Sequence, residues 1–205
     1  MLHNPRVLIT DTDELARLCE DLSSASYVAV DTEFMRKRTY RADLCLVQIS
    51  GPDRDARAVD PLSPDVDLAP LFELLANDSI VKVFHAARQD LEIFFQLADR
   101  VPAPIFDSQV AAMVCGYGDQ VGFATLASTL TGAALDKSSQ YSDWSLRPLS
   151  ERQLRYALDD VVHLCDIYEQ LDVKLGENGR REWLSEEMNT LADPMTYQQD
   201  PRDAW

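Results

Sequence analysis

Short apolar runs and longer amphipathic stretches alternate along this chain. Four apolar runs have the length and the β-branched content of buried strands, at residues 27–31, 44–50, 56–59 and 80–84. Apolar residues at helical spacing predict helices over residues 12–22, 68–76, 86–97, 108–114, 123–130, 151–171 and 177–191. Asp11 or Thr12 is suited to cap the first of these helices. This order of elements predicts an α/β fold, a mixed sheet with helices on both faces.

The length and composition fit a single domain. Of the 205 residues, 46% are hydrophobic, which is enough for one sizeable core. We predict a domain over residues 1–191 and a linker-like segment over residues 192–205, where Pro194 and Pro201 interrupt a polar stretch. The N-terminus lacks an apolar leader, and no apolar stretch reaches about 18 residues. We therefore expect a cytoplasmic protein without membrane partners.

The four cysteines are scattered along the chain, without a Cys-x-x-Cys pair. They are Cys19, Cys45, Cys115 and Cys165. Most have apolar neighbours, so we predict that they are small core residues and not zinc ligands or disulfide partners.

The net charge of −16 argues against a protein that coats nucleic acid with a broad basic face. It does not exclude an enzyme that acts on nucleic acid, because bound divalent cations change the charge where a phosphate lies. Basic residues do cluster in one place, at Arg36, Lys37, Arg38 and Arg41. This cluster is either a solvated loop or a contact for substrate phosphates.

An Asp-x-Glu pair ends the first predicted strand. Side chains alternate between the faces of a strand, so Asp31 and Glu33 lie side by side and Thr32 points to the opposite face. Two carboxylates this close repel each other unless a cation lies between them, which makes the pair a candidate metal site. Similar spacings occur in polar, loop-like sequence that provides no rigid support, at Asp11/Asp13, Asp53/Asp55 and Asp65/Asp67.

Two further positions could join this pair. The strand at 80–84 runs into a helix whose first turns carry His85, Arg88 and Asp90, although an early acid also favours the helix dipole and His85 could be a structural junction residue. In the helix at 151–171, Tyr156 and Asp160 are four residues apart and lie on one face beside the apolar stripe. Asp159 points elsewhere, and we interpret it as a surface charge.

In this order, the Asp-x-Glu strand, the His-x-x-x-x-Asp junction and the Tyr-x-x-x-Asp helix resemble the DEDD superfamily of 3′-to-5′ exonucleases, in its tyrosine-bearing branch. The ribonuclease D family is the closer match. Other segments similar to that family are Glu33-Phe34-Met35-Arg36, Leu44-Cys45-Leu46-Val47-Gln48-Ile49, Phe106-Asp107-Ser108-Gln109, Leu135-Asp136-Lys137-Ser138 and Asp143-Trp144-Ser145-Leu146-Arg147-Pro148-Leu149-Ser150.

The resemblance implies a ribonuclease H-like fold, a mixed five-stranded sheet whose second strand is antiparallel, flanked by helices. It implies that two divalent cations, Mg²⁺ or Mn²⁺, are held by four carboxylates, those of Asp31, Glu33, Asp90 and Asp160. Tyr156 would orient the attacking water, and nucleoside 5′-monophosphates would leave the 3′ end one at a time. Residues 1–191 would be the exonuclease domain, and family members usually continue into one or two helical C-terminal domains.

Substrate contacts are expected from five further residues. Phe34 and Met35 follow Glu33 and could wedge the terminal base, or they could be ordinary core residues. His85 and Arg88 could contact phosphate. Trp144 could stack on a base, or it could pin the last helix to the sheet.

The expected partner is the 3′ end of RNA, with tRNA precursors among the substrates, and we expect a monomer. One alternative is an exonuclease of the same fold that acts on DNA or on short oligonucleotides. Another alternative is a catalytically silent nucleic-acid-binding domain. The presence of all four carboxylates and of the tyrosine argues against a silent domain.

Overall fold

The computed structural model describes residues 7–36, 41–136 and 138–198. Six strands lie in these ranges: β1 (Leu8–Ile9), β2 (Tyr27–Met35), β3 (Asp43–Ser50), β4 (Arg57–Val59), β5 (Val81–Phe84) and β6 (Ile105–Asp107). The α-helices of these ranges are α1 (Thr12–Leu22), α2 (Ala69–Leu75), α3 (Arg88–Ala98), α4 (Ser108–Val114), α5 (Phe123–Thr131), α6 (Glu151–Glu177) and α7 (Arg181–Ala192). A short 3₁₀ helix follows at Pro194–Thr196.

The strands form one mixed sheet in the order β1-β4-β3-β2-β5-β6. Strand β3 is antiparallel to both of its neighbours, and the remaining pairs are parallel. This confirms the mixed α/β fold and the antiparallel second strand of the predicted set. The described sheet has six strands, so the expected number of five is wrong. The two strands that the sequence pattern did not predict are β1 and β6, with two and three residues.

Helices cover both faces of the sheet. All residues from Tyr27 to Val30 in β2 are buried, although neighbouring side chains in a strand point to opposite faces. The long helix α6 crosses one face and contacts β2, β3, β4 and β5. The predicted coverage of both faces is therefore confirmed.

Strand β2 extends beyond its predicted end. It continues to Met35, with a shift in the β2–β3 register between Glu33 and Phe34. Asp31 and Glu33 therefore lie within a paired strand and not at its end. Both residues pair with β3, which gives their carboxylates a more rigid support than an unpaired strand end would.

Side-chain capping or backbone conformation accompanies three of the helix ends. The side chain of Asp11 accepts a hydrogen bond from the Glu14 amide at 2.9 Å, which confirms it as the cap of α1. Helix α3 begins at Arg88, later than predicted, because Ala86 adopts a positive φ of 56°. Helix α6 continues for 27 residues, well beyond its predicted end, and Gly179 at φ 64° follows it.

The segment predicted to be linker-like is partly ordered against the core. After the 3₁₀ helix, Tyr197 is buried and its hydroxyl donates to the Leu191 carbonyl at 2.8 Å. Its ring lies 6.1 Å from that of Phe95 in α3. Residues 193–197 therefore belong to the folded unit, and the rest of the predicted linker beyond residue 198 lies outside the described residues.

All four cysteines are free thiols in the structure. Cys19, Cys45 and Cys165 are buried, and Cys115 is half-buried. No helix in the described ranges is both long and apolar enough to cross a membrane.

Candidate active site

Three carboxylates converge where α6 crosses the sheet. Asp31 and Glu33 come from β2, and Asp160 comes from α6. One ligand oxygen from each residue lies within 4.8 Å of the others. All three residues are half-buried. The sequence predicted that Asp31 and Glu33 share one face of a strand and that Asp160 lies beside the apolar stripe of its helix. The structure brings these three residues together in one cluster.

Asp90 approaches the cluster from a different element. It lies in the first turn of α3 and is buried. The Thr32 hydroxyl donates a hydrogen bond to the Asp90 carboxylate. Thr32 points away from its neighbours Asp31 and Glu33, so this bond connects the opposite face of β2 to α3. Asp90 lies outside the group of three but close enough for the charge of Asp31 to raise its pKa.

The start of α3 is held by a second buried acid. Asp107, at the end of β6, accepts hydrogen bonds from the amides of Ala86 and Ala87 at 3.0 and 2.8 Å. The same carboxylate caps α4 through the Gln109 amide at 2.8 Å. One side chain thus joins two helix starts at the edge of the sheet, and this fixes the turn that presents Asp90.

Burial and mutual repulsion make this cluster costly to ionise. Burial raises the pKa of Glu33 to about 9, and the charges of Asp31 and Asp160 add to this effect. Burial also raises the pKa of Asp160 to about 8 and that of Asp31 to about 6. The pKa of Asp90 is raised well above its ordinary value, mainly by burial. Four neighbouring acids with raised pKa values are typical of a functional site.

The donor set fits a hard divalent cation. It offers only carboxylate oxygens, which suit Mg²⁺, Mn²⁺ or Ca²⁺ and do not favour zinc. A cation would also offset the repulsion that raises the pKa values of these acids. The residues that could hold it are Asp31, Glu33 and Asp160, with Asp90 beside them.

Tyr156 lies one helical turn before Asp160 on α6. Burial raises the pKa of its phenol, and the charges of Asp160 and Glu33 raise it further. The hydroxyl therefore stays protonated near neutral pH and can act as a hydrogen-bond donor. Asp159 is exposed, in agreement with its interpretation as a surface charge.

The start of α6 is anchored by two devices. Ser150 and Gln153 form a capping box. Just before them, the Arg147 guanidinium bonds both oxygens of the buried Asp60 carboxylate at 2.6 and 2.7 Å. It also donates to the Cys45 carbonyl at 2.6 Å and to the Trp144 carbonyl at 2.8 Å. Arg147 thus ties the loop before α6 to β3 and to the end of β4.

The predicted substrate contacts have different surroundings. Trp144 is only 2% exposed and lies 6.2 Å, ring to ring, from Tyr156. A side chain this deeply buried cannot stack on a base without moving, so its burial favours the alternative role of pinning α6 to the sheet. Phe34 and Met35 are half-buried, and they pack against different parts of the core.

His85 and Arg88 are also unlike each other. His85 Nδ1 lies 2.9 Å from Ser108 Oγ, and the ring packs edge-on against Phe123. Burial lowers the pKa of His85, so the ring is neutral near pH 7 and offers no positive charge to a phosphate. Arg88 is exposed at the first residue of α3, two positions before Asp90.

The basic run is described only in part. Arg36 is exposed and pairs with Glu92 at 3.5 Å. Arg41 is exposed as well, whereas Lys37 and Arg38 lie outside the described residues. The structure therefore leaves the phosphate-contact interpretation of this run as a prediction.

Sequence reasoning missed several residues that support the site. Thr32, Asp107 and Arg147 act through contacts with residues at least 20 positions away in sequence. Asp107 and Arg147 lie within segments that resemble the family. Their positions were therefore marked by the sequence, but their contacts with other elements were not predicted. Thr32 had only one signal, its position between two acids.

Comparison with known proteins places this site in a class. A profile of the 3′-5′ exonuclease family matches residues 7–176, which is most of the chain. The chain therefore belongs to this family of 3′-5′ exonuclease domains.

Within that class, the similarity is to ribonuclease D. Ribonuclease D from Granulibacter bethesdensis is 54% identical over 198 residues, which are 97% of this chain and 50% of that protein. Escherichia coli RNase D, whose structure is described as an exoribonuclease involved in structured RNA processing, superposes with a TM-score of 0.89 at 38% identity. That match covers 97% of this chain and 52% of the other. These findings confirm the resemblance found in the motifs.

A second structural neighbour is similar over most of its length. Brucella melitensis NrnC superposes with a TM-score of 0.80 at 30% identity, covering 94% of this chain and 91% of that chain. NrnC structures have also been solved with bound pGG and with bound Mg²⁺. The present chain spans about half the length of the ribonuclease D relatives it matches.

Proposed function

We propose that this chain is the catalytic domain of a metal-dependent 3′-to-5′ exoribonuclease that releases nucleoside 5′-monophosphates. The observation that carries the proposal is the convergence of Asp31, Glu33 and Asp160 within 4.8 Å, with Tyr156 one turn away on α6. The ribonuclease D relatives support the choice of RNA. We take residues 1–191 as the exonuclease domain, with residues 193–197 packed against it.

Asp31, Glu33, Asp90 and Asp160 would hold two divalent cations, Mg²⁺ or Mn²⁺. When bound, such cations lower the pKa of a water molecule and offset negative charge at the phosphate. The carboxylates themselves can act as ligands only when they are ionised, so the raised pKa values of the metal-free site oppose metal binding at low pH. The Mg²⁺ bound in NrnC supports the choice of metal.

Tyr156 orients the attacking water through its hydroxyl. Its raised pKa makes it a poor general base, so its contribution is to position the water and not to remove the proton. Trp144 packs beside the Tyr156 ring and limits its movement. The pair thus holds a protonated hydroxyl at a defined place beside the carboxylates.

Recognition of the 3′ end is assigned to the residues around Glu33 and α3. Phe34 and Met35 follow Glu33 and are half-buried, so each has surface left to wedge a terminal base. Arg88 is exposed near Asp90 and can contact a phosphate. His85 can contact the substrate only as a neutral ring, because burial lowers its pKa.

Precursors of tRNA are the proposed substrates. The proposed enzyme is cytoplasmic and acts as a monomer. The description of the Escherichia coli neighbour as an enzyme of structured RNA processing supports a structured RNA. A second candidate substrate is a short oligonucleotide, which the similarity to NrnC and its pGG complex favours.

A gel assay with 5′-labelled substrates tests the proposal. We expect stepwise shortening of single-stranded RNA with Mg²⁺ or Mn²⁺, no reaction in EDTA, and a block by a 3′-phosphate. Parallel reactions with DNA of the same sequence and with pGG separate the alternative substrates. Cuts within a circular RNA would contradict an end-directed enzyme, and binding without cleavage in any metal would indicate a silent binding domain.

A further inference from the structure

Gln48 lies directly opposite Asp31 in the β2–β3 ladder. Residues that face each other in an antiparallel pair share one face of the sheet, with Cβ atoms about 4.5 to 5.5 Å apart. The register shift in this ladder comes only after Glu33, so it does not disturb this pair. The Gln48 side chain therefore lies beside Asp31, on the face of the sheet that α6 covers.

The amide of Gln48 is buried without a hydrogen-bond partner. The residue is 0% exposed, and neither Oε1 nor Nε2 has a partner among the described residues. Buried polar groups are almost always hydrogen-bonded, so an orphaned amide needs a specific explanation. Packing does not provide one, because an apolar side chain of the same length would fill this place without the cost of desolvation.

The buried cluster on this face of the sheet is formed by hydrophobic residues. Leu46, two residues earlier on the same face of β3, is fully buried and packs in a cluster with Trp144 and Ala157. Ala58, the partner of Gln48 on β4, belongs to the same cluster. Of its two partners in the sheet register, Ala58 and Asp31, Asp31 is the one that can accept a hydrogen bond from this amide through its side chain.

We propose that Gln48 is a positioning residue for Asp31, an inference that rests on the proposed metal site. Its Nε2 donates a hydrogen bond to one Asp31 oxygen when that carboxylate is ionised. Carboxylates that bind metals are generally held by such outer hydrogen bonds, which fix their orientation and leave the remaining lone pairs for the ion. This role explains why a polar side chain lies at a fully buried position: its amide supplies a hydrogen-bond donor to the ionised Asp31 carboxylate.

The test compares two methionine variants in the same strand. Gln48→Met keeps the side-chain length and removes the amide, whereas Leu46→Met alters the position opposite Glu33 without removing any polar group. Mn²⁺ affinity is measured by electron paramagnetic resonance of the free ion, and thermal melts are recorded in EDTA. We expect Gln48→Met to weaken Mn²⁺ binding about 10- to 100-fold while the metal-free melting temperature is kept or raised. Leu46→Met should bind Mn²⁺ like the wild type.

Two results would overturn the assignment: Mn²⁺ binding by Gln48→Met at wild-type affinity, or an equal loss in Leu46→Met. If Gln48→Met does not fold, Gln48→Leu takes its place, and failure of both to fold makes Gln48 a structural residue. Steady-state kinetics add a second readout, a fall in kcat at unchanged KM for RNA. Because metal affinity is measured without RNA, its dependence on Gln48 would support the inference even if the protein cleaved no RNA.

Discussion

The Thr32 hydroxyl donates a hydrogen bond to the Asp90 carboxylate and so connects β2 to α3. The middle residue of the Asp-x-Glu motif therefore has a function of its own, on the face away from its two neighbours. Since Asp90 is buried and its pKa is raised, loss of this donor leaves the ionised carboxylate less stable and free to turn.

We expect Thr32→Val to fold and to lose about 10- to 100-fold in activity or metal affinity, because the shape is kept and only the hydroxyl is removed. Thr32→Ser is the matched control, since it retains the hydroxyl, and it should remain close to wild type. Mn²⁺ titration together with an RNA cleavage assay measures both effects. Equal behaviour of the valine and serine variants would contradict a role for this hydrogen bond.

Tyr156→Phe should lower kcat about 10²-fold or more while metal affinity and fold are retained. The change removes the hydroxyl that positions water and no carboxylate ligand. Asp159→Asn, at the exposed neighbouring position, should have little effect. Single-turnover cleavage of 5′-labelled RNA distinguishes the two variants. A larger loss in the Asp159 variant would mean that α6 presents a different face to the substrate.

Asp31→Asn should separate stability from activity. The change relieves part of the repulsion among the acids at nearly constant volume, so the metal-free variant should melt at or above the wild type although it is inactive. Mg²⁺ or Mn²⁺ should stabilise the wild type by about 2.7 kcal/mol at a hundred times Kd and the variant much less. Thermal melts across a metal titration measure this. An equal metal response of both proteins would exclude Asp31 as a ligand.

The metal-free protein should become less stable as pH rises from about 5 to about 8. Glu33 and Asp160 have pKa values of about 9 and about 8 in the folded protein, above their ordinary values of 4.5 and 3.8. In this pH range the folded state therefore holds protons that the unfolded state has already released. The contribution of these protons to the free energy of unfolding is fully present only below the unfolded pKa values and is lost as pH rises.

Thermal melts in EDTA across this pH range measure the effect, and Glu33→Gln should flatten the dependence. Saturating Mg²⁺ should reduce or reverse it, because the cation binds the deprotonated acids. A Glu33→Gln slope as steep as that of the wild type would show that other groups cause the pH dependence.

Arg147→Lys should destabilise the protein by about 3 kcal/mol, because a lysine cannot replace the fork that binds Asp60 and three carbonyls. Arg152→Lys is the control: Arg152 and Asp136 form an exposed pair at 3.4 Å, where we expect little change in stability. Urea unfolding measures both. Equal losses in the two variants would show that the Arg147 contacts contribute no more than a surface ion pair.

The periodicity of the sequence predicted most of the helices and the long strands. The shared face of Asp31 and Glu33 follows from the two-residue repeat of a strand, and the stacking of Tyr156 and Asp160 follows from the helical repeat. These relationships are local, so neighbouring residues determine them. The motif order then identified the family, although no single motif was specific.

Only the tertiary structure decided which distant residues support these acids. The opposition of Gln48 and Asp31 depends on strand register, and the Thr32–Asp90 bond depends on where α3 meets the sheet. Likewise, Arg147 binds Asp60, 87 positions away in sequence. Trp144 is buried in the loop that Arg147 ties to β3 and to the end of β4. Such contacts leave no periodic trace, because their partners are brought together by packing of the whole chain and not by the spacing of residues along it.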